Sequence, residues 1–367
     1  MSGIYIHIPY CRQICRYCDF HHSASLRDKA EMLRAIGSEL RSRRQEIAPG
    51  SVRTLYFGGG TPSVCTPEEI RQLVDEVREL WDVERFDEAT LEANPDDLTP
   101  AWLDTLRRES GIDRLSIGIQ SFRDDHLQRM NRRHTAQAAI DAVRNARRAG
   151  FDNITIDLIY GLPWMSPDEW QYNLDRAVEL EVQHISAYHL TIEPRTVFGK
   201  QGLRPVDEDT SELHFRMLRE TLTRAGFEHY EVSNFARPGF RARHNSAYWR
   251  GESYLGAGPS AHSYDGERQR SWNVSSNRLY LSGAPRETEL LTTTDLLNEY
   301  LMTRLRTADG IDLGTIRERF GPDEARRIAA RCERFAASGE MQPTDRGFAI
   351  PPAHFLVSDY VISELFA

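Results

Sequence analysis

The sequence predicts an α/β fold in which an incomplete parallel barrel precedes a small C-terminal helical domain that resembles a winged helix. From residue 4 to about 236, short runs rich in β-branched and aromatic residues alternate with stretches whose apolar residues have helical spacing. Repeated strand–helix units imply a parallel sheet covered by helices. In the tail, helices flank a short hairpin. We therefore divide the chain into a barrel (1–236), a connecting segment (237–290) and a C-terminal domain (291–367).

The barrel region contains seven predicted strands and six predicted helices, which fit six or so strand–helix units. The strands are 4–9, 54–57, 89–93, 114–120, 153–160, 184–190 and 229–233. The helices are 27–47, 67–80, 100–108, 135–149, 167–180 and 208–225. Thr66 followed by Pro67 is typical of a helix start, and Gly150 and Gly226 are typical of positions just past a helix end.

The C-terminal tail is predicted to be mostly helical. Its helices are 293–307, 312–319, 322–338 and 354–366, and a hairpin at 341–350 interrupts them. Acidic and basic residues are mixed along these helices, so no basic face for DNA is expected. We interpret this domain as a lid or a docking domain.

Composition narrows the class of protein. The 367 residues carry a net charge of −9, and 40% of them are hydrophobic. No run approaches the ~18 apolar residues of a membrane span, and no signal peptide is expected at the N-terminus. All but two of the 46 basic residues are arginines interleaved with acids, which does not indicate a nucleic-acid surface. With only five cysteines, three of them clustered, we expect a reducing, cytoplasmic location.

The clustered cysteines are the strongest chemical signal in the sequence. Cys11, Cys15 and Cys18 follow the first predicted strand with the spacing C-x3-C-x2-C. Three thiolates can hold three irons of a 4Fe–4S cluster and leave one iron open for a small molecule. The same thiolates could bind zinc, with His21 or His22 as a fourth ligand. The spacing alone leaves both metals open.

A glycine turn follows the second predicted strand. The run Gly58-Gly59-Gly60-Thr61-Pro62 lets the backbone pass close to a ligand, where a Cβ would clash. Alone, it would be an ordinary strand-to-helix turn. One strand–helix unit after a cysteine loop, it is a far more specific signal.

Polar residues end or interrupt the predicted strands that follow. Glu92 and Asn94 end the third predicted strand, and Gln120 and Ser121 end the fourth. Asp157 interrupts the fifth strand, and Ala187 and His189 lie in the sixth. Active sites of parallel barrels lie at the carboxyl ends of the strands. Although each residue alone could be a satisfied structural group, together they predict one shared polar cavity.

A further motif lies in the connecting segment, His244-Asn245-x-x-Tyr248-Trp249. An imidazole beside two aromatic rings could ligate and stack on a porphyrin. The alternative is a histidine whose hydrogen bonds are satisfied within an aromatic patch.

The cysteine loop with Tyr17, together with Gly-Gly-Thr-Pro, resembles the radical S-adenosylmethionine (SAM) superfamily. From residue 4 nearly to the C-terminus, the chain is similar to the oxygen-independent coproporphyrinogen III oxidase branch, and within it to heme chaperones. The resemblance implies an incomplete (β/α)6-type barrel, a 4Fe–4S cluster, SAM and heme.

The resemblance also assigns site residues. It implies that Cys11, Cys15 and Cys18 ligate the cluster and that His244 is the candidate heme ligand, with His7, His21, His22 and His262 as rivals. The residues implied to contact SAM are Tyr5, Tyr17, Gly59, Gly60, Thr61, Glu92, Gln120, Arg132, Asp157 and Ala187. Arg133 is the alternative to Arg132.

Two departures separate this chain from the oxidase pattern. Phe20 occupies the position of the oxidase's fourth cysteine, and the oxidase's long N-terminal extension is missing. We therefore expect a heme chaperone that binds heme and transfers it to an unidentified acceptor protein, for which a membrane-bound protein is one candidate. The alternative is a radical enzyme acting on a tetrapyrrole, so whether the chain is an enzyme stays open.

Overall fold

A single mixed sheet organises most of the chain. The structure is a computed structural model that describes residues 2–367, and in that range twelve strands join in the order β12-β11-β10-β9-β1-β2-β3-β4-β5-β6-β8-β7. These strands are β1 Ser2–Ile8, β2 Val52–Gly59, β3 Glu88–Ala93, β4 Arg114–Gln120, β5 Asn153–Tyr160, β6 His184–His189, β7 Glu228–Glu231, β8 Asn234–Ala236, β9 Ser253–Ala257, β10 His262–Tyr264, β11 Gln269–Trp272 and β12 Glu287–Leu290.

Helices connect the strands and cover the sheet. The α-helices up to residue 290 are α1 Lys29–Ser42, α2 Pro67–Trp81, α3 Pro100–Glu109, α4 Asp124–Arg129, α5 Ala136–Arg148, α6 Pro167–Glu179, α7 Val197–Lys200, α8 Glu208–Arg224, α9 Arg243–Trp249 and α10 Asn277–Leu281. Short 3₁₀ turns lie at Pro62–Val64 and Pro95–Asp97. The expected start of α2 is confirmed, because Thr66 and Glu69 form a reciprocal capping box.

Strands β1 to β6 pair in parallel, as the alternating pattern predicts. The prediction of one further strand at 229–233 is wrong in its extent and direction. The chain forms a hairpin of β7 and β8 in this region, and β8 pairs antiparallel with β6. The ring of His229 stacks on Phe235 across the turn, with centroids 4.0 Å apart. Periodicity detects such a strand but not its direction.

The segment predicted as a connection also builds the sheet. Strand β9 pairs in parallel with β1, and β10, β11 and β12 extend that edge as antiparallel strands. The sheet is therefore open among the described residues, with β12 and β7 as its two edges. The division at residues 236 and 290 stays a prediction.

The C-terminal region has its own small sheet and helices. Strands β13 Ile311–Asp312, β14 Gln342–Pro343 and β15 Gly347–Ala349 form a three-stranded antiparallel sheet, so the predicted hairpin is confirmed. The helices are α11 Thr293–Leu305, α12 Leu313–Phe320, α13 Pro322–Ser338 and α14 Ser358–Ser363. The predicted helix 354–366 begins instead as a 3₁₀ turn, Pro352–Val357.

Apolar side chains from the sheet and its helices pack into one continuous core that reaches the C-terminal domain. Within residues 2–367, no helix has the length and apolar character needed to cross a membrane.

Candidate functional site

The cysteine loop is anchored to the barrel by its backbone. The amide of Cys11 donates to the Ser23 carbonyl at 3.0 Å, and the amide of Ser23 donates to the Pro9 carbonyl at 2.8 Å. Further along, the amide of Arg16 donates to the Met130 carbonyl at 3.1 Å. The loop thus keeps its shape through the protein's own hydrogen bonds.

The three thiols face one cavity at the carboxyl ends of the parallel strands. Burial raises the pKa of Cys11 to about 11 and that of Cys18 to about 12. Such thiols stay protonated in the metal-free chain, and metal coordination would remove their protons.

The separation of these thiols bears on the choice of metal. Around one zinc ion, Zn–S bonds of about 2.3 Å bring sulfurs to within about 3.8 Å of one another. In the described chain, no three ligand atoms of the loop cysteines and their neighbouring histidines lie within 4.8 Å of one another. A cluster holds each thiolate on a separate iron, so it suits the wider spacing.

The histidines proposed as a fourth zinc ligand have other partners. Nε2 of His21 lies 2.8 Å from Oδ1 of Asn277. Nδ1 of His22 lies 2.6 Å from the Phe20 carbonyl oxygen and 3.9 Å from Sγ of Cys18. Among the described residues, neither histidine forms with the thiols a group of three ligand atoms close enough to hold one zinc ion.

The glycine turn packs against the cysteine loop. A Cβ on Gly60 would lie 2.6 Å from the carbonyl oxygen and 2.7 Å from the amide nitrogen of Tyr10. Gly59 has a φ of +102°, and its Cβ would lie 2.5 Å from the His7 ring. In the sequence, these glycines indicate the close approach of a ligand. The structure adds a second reason for them, because the cysteine loop and His7 leave no space for a side chain at Gly59 or Gly60.

Two polar side chains contact the cysteine sulfurs. The hydroxyl of Thr61 donates to Sγ of Cys11 at 3.2 Å, and the guanidinium of Arg132 donates to Sγ of Cys15 at 3.4 Å. Arg132 also donates to Oδ1 of Asn94 at 2.7 Å. Arg133 instead pairs with Asp96 at 3.0 Å, so Arg132 is the arginine that faces the cavity.

The polar strand ends meet in this same cavity, which has a volume of about 480 Å³. We call it the cluster cavity. It brings together most of the residues predicted from sequence, namely Cys11, Cys15, Cys18, Tyr17, Gly59, Gly60, Thr61, Glu92, Gln120, Arg132 and Asp157.

Two carboxyl groups of the cluster cavity have unusual acidity. Burial raises the pKa of Glu92 to about 7, although a hydrogen bond from the Tyr56 hydroxyl at 2.8 Å opposes the shift. Burial likewise raises the pKa of Asp157 to about 6. Both groups would ionise readily if a cation entered the cavity.

Gln120 has the left-handed backbone conformation that favours glycine, with a φ of +70°. The register between β4 and β5 shifts at this position. A strained residue at the end of a barrel strand often marks a functional site, and Gln120 lines the cluster cavity.

Two predicted SAM residues do not line this cavity. Tyr5 stacks on Tyr56, with ring centroids 6.1 Å apart, and faces a second cavity. Ala187 is buried, and its amide donates to the Ser233 carbonyl at 2.8 Å. Their contacts with SAM stay predictions.

Sequence reasoning missed Ser116 and Tyr188 as lining residues. Ser116 donates to Oδ1 of Asp157 at 3.4 Å, and the exposed ring of Tyr188 forms part of the wall. Alternate residues of a strand face the same side of the sheet, so Ser116 shares the face of Gly118 and Gln120 on β4. This alternation could have identified Ser116 from the sequence.

The structure opposes the predicted role of His244 as a heme ligand. This residue is 1% exposed and lies under the ring of Tyr56. Its Nδ1 is 2.8 Å from Oγ1 of Thr54, and its Nε2 is 2.7 Å from the hydroxyl of Tyr248. With both ring nitrogens engaged, no lone pair is free for iron, and the alternative of a satisfied histidine in an aromatic patch describes the observed geometry.

A second cavity, of about 540 Å³, adjoins the cluster cavity. Phe20, which is 74% exposed, lines both. The other walls of this second cavity come from Tyr5 and His7 of β1, from β9 to β11 and from helices α11 and α12 of the C-terminal domain. We call it the interdomain cavity.

Comparison with known families gives two matches. Residues 5–177 match the radical SAM superfamily, and residues 291–356 match the HemN C-terminal domain.

Several curated relatives are similar over most of their length. The heme chaperone HemW of Bacillus subtilis is 33% identical over 335 residues, which cover 88% of this chain and 87% of that protein. HemW of Escherichia coli is 35% identical over 312 residues, 83% of this chain and 82% of that protein. HemW of Haemophilus influenzae is 39% identical over 266 residues, 71% and 69% respectively.

Among solved structures, the coproporphyrinogen III oxidase HemN of Escherichia coli has a similar fold. Its TM-score is 0.85 at 23% identity, and the match covers 100% of this chain and 90% of that chain. At this identity the likeness concerns the fold.

Proposed function

The chain belongs to the radical SAM superfamily and, within it, to the family of the heme chaperone HemW, and on that premise we propose that it binds heme and transfers it to an acceptor protein. One observation carries the proposal. The similarity to relatives named heme chaperone extends over more than four fifths of this chain.

The proposal includes a 4Fe–4S cluster on Cys11, Cys15 and Cys18. The donor set fits this group, because three thiols line one cavity and lie too far apart for a single ion. When bound, such a cluster supplies single electrons to SAM on its open iron. Thr61 and Arg132 would donate hydrogen bonds to the thiolates, and such bonds tune a cluster's reduction potential.

SAM would occupy the rest of the cluster cavity. SAM is a cation at its sulfonium, and Glu92 and Asp157 are the carboxyl groups available to it. Tyr17 offers an aromatic face, and Arg132 a guanidinium for the SAM carboxylate. These residue roles are part of the proposal.

We expect Glu92→Gln to weaken SAM binding roughly tenfold or more, because a charge-assisted contact is lost. The pH dependence has a definite sign. Below the Glu92 pKa of about 7 the carboxyl is protonated and cannot pair with a cation, so Glu92 should contribute less to affinity at pH 6 than at pH 8.

Isothermal titration of the cluster-loaded protein at both pH values measures this contribution as the difference between native protein and Glu92→Gln. The exposed Glu79 on α2 supplies a matched control, Glu79→Gln, for which no change is expected. Equal SAM affinities in native protein and Glu92→Gln at pH 8 would remove Glu92 from the site.

The second candidate function is oxidation of coproporphyrinogen, the activity printed in the name of the HemN structure. Phe20 speaks against it, because an exposed apolar ring stands where the oxidase pattern has a cysteine.

One pair of assays separates the two functions. Reconstituted protein is titrated with heme while the Soret band is followed, and a parallel sample receives coproporphyrinogen, SAM and a reductant. We expect one heme per chain and no consumption of coproporphyrinogen. Steady consumption of coproporphyrinogen without a heme complex would replace the chaperone proposal with the oxidase.

A further inference from the structure

We propose that heme binds in the interdomain cavity, with His262 as the axial ligand of the iron and Arg319 as the partner of a heme propionate. This assignment rests on the proposed function, and it names a site for the heme in place of His244.

The walls of the interdomain cavity suit a porphyrin. A porphyrin is a flat apolar ring with two carboxylates at one edge, so it needs aromatic walls and a cation at the rim. The volume of about 540 Å³ lies within the range of small-molecule and cofactor sites. Its aromatic lining residues are Tyr5, Phe20, Tyr248, Tyr254, Tyr264 and Tyr300.

His262 is the imidazole of this cavity that, in the described part of the chain, has both ring nitrogens free of hydrogen bonds. His7 is buried, with Nδ1 3.3 Å from the Tyr5 hydroxyl and Nε2 3.1 Å from the His21 carbonyl oxygen. Nε2 of His21 is engaged by Asn277, so among the described residues only its Nδ1 is without a partner. By contrast, neither nitrogen of the exposed His262 has a hydrogen-bond partner among residues 2–367.

The position of His262 is fixed although its nitrogens are free. It begins β10, pairs with Trp272 of β11 and stacks on the Trp272 ring, with centroids 5.8 Å apart and planes 24° apart. Because Trp272 already holds the His262 side chain in place, this side chain would lose little conformational freedom on binding iron.

The arginines of the cavity are not equivalent. Arg270 lies 2.7 Å from Glu299 and 3.2 Å from Glu289, and Arg250 lies 2.6 Å from Glu252. Arg319, on α12, has no carboxylate within 4.0 Å among the described residues, and it is exposed at the cavity. It is therefore the guanidinium that can donate hydrogen bonds to a carboxylate without breaking an existing ion pair.

The net charge of −9 strengthens the argument for Arg319. The two propionates of heme are repelled by the negative net charge of the protein, so they require a local cation. Since Arg319 belongs to the C-terminal domain and His262 to the main sheet, heme would bridge the two parts of the chain.

The test is a heme titration of the cluster-loaded protein in native form, His262→Ala, His262→Met and Arg319→Gln. We expect His262→Ala to lower heme affinity at least about tenfold and to shift the Soret maximum. His262→Met should restore binding with a distinct spectrum, because methionine is also an axial ligand. Arg319→Gln should weaken binding about tenfold without moving the Soret maximum.

Matched controls are His354→Ala and Arg326→Gln, which change partly or fully exposed residues outside the cavity. Iron and sulfide content and far-ultraviolet circular dichroism establish that each variant is folded. If folded His262→Ala keeps the native spectrum and affinity while native protein binds heme, the site is wrongly assigned although the chaperone proposal stands. If native protein binds no heme, the proposed function itself fails and the site fails with it.

Discussion

Cys15→Ala is expected to lose the 4Fe–4S cluster while keeping its fold. A cluster with only two cysteine ligands leaves two irons without protein support. The loop itself should survive, because its backbone hydrogen bonds to Ser23 and Met130 do not involve the thiol. Iron and sulfide analysis after anaerobic reconstitution should fall from about four of each per chain to near zero.

Cys65→Ala and Cys332→Ala are the matched controls. These residues are 1% and 0% exposed, lie outside the cluster cavity and should be dispensable for iron. Loss of iron in the control variants, or about one zinc and no iron per native chain, would contradict the assigned ligands.

Gly60→Val is expected to destabilise the metal-free protein and to prevent cluster assembly. Its Cβ would meet the backbone of Tyr10 at 2.6 Å and the Ile8 carbonyl oxygen at 2.8 Å, so the chain just before Cys11 must shift. Overpacking of this kind costs roughly 1–3 kcal/mol in the free energy of unfolding. Urea denaturation of the metal-free protein and iron analysis after reconstitution measure the two effects.

Gly314→Ala provides a control for the loss of a glycine. A Cβ there would approach only Oδ1 of Asp312, at 3.0 Å, so this side chain, which caps α12, would need to shift by only a few tenths of an ångström. Its stability and iron content should stay near those of native protein. A Gly60→Val variant with full iron content and native stability would show that the glycine turn does not position the loop.

Local patterns predicted the barrel and the cluster cavity well, for identifiable reasons. Strands β1 to β6 are buried along most of their length, and their β-branched and apolar residues could be detected in the sequence. Thr66 caps α2 through contacts three residues away. Glu92, Gln120 and Asp157 are far apart in sequence, yet the parallel arrangement brings strand ends together, so their convergence could be expected.

The remaining features depend on contacts that sequence spacing does not encode. His244 forms its hydrogen bond with Tyr248 one helical turn away, but its other partner, Thr54, lies 190 positions earlier in the chain. Similarly, β9 pairs with β1 across most of the chain, and His262 reaches the interdomain cavity only through that pairing. Of the motif His244-Asn245-x-x-Tyr248-Trp249, Tyr248 lines the interdomain cavity and His244 is held by hydrogen bonds from both ring nitrogens.

The most direct measurement of the central claim is the simultaneous content of cluster and heme in one sample. Cluster-loaded protein is mixed with heme, passed through a desalting column under nitrogen, and analysed for total iron, sulfide and heme per chain. The cluster cavity and the interdomain cavity are two cavities that share Phe20 as a lining residue, so cluster and heme can bind at the same time. We therefore expect per chain about four sulfides, one heme and five irons, of which four belong to the cluster and one to the heme. Loss of sulfide in proportion to heme gained, or no heme retained, would contradict a chaperone that carries both.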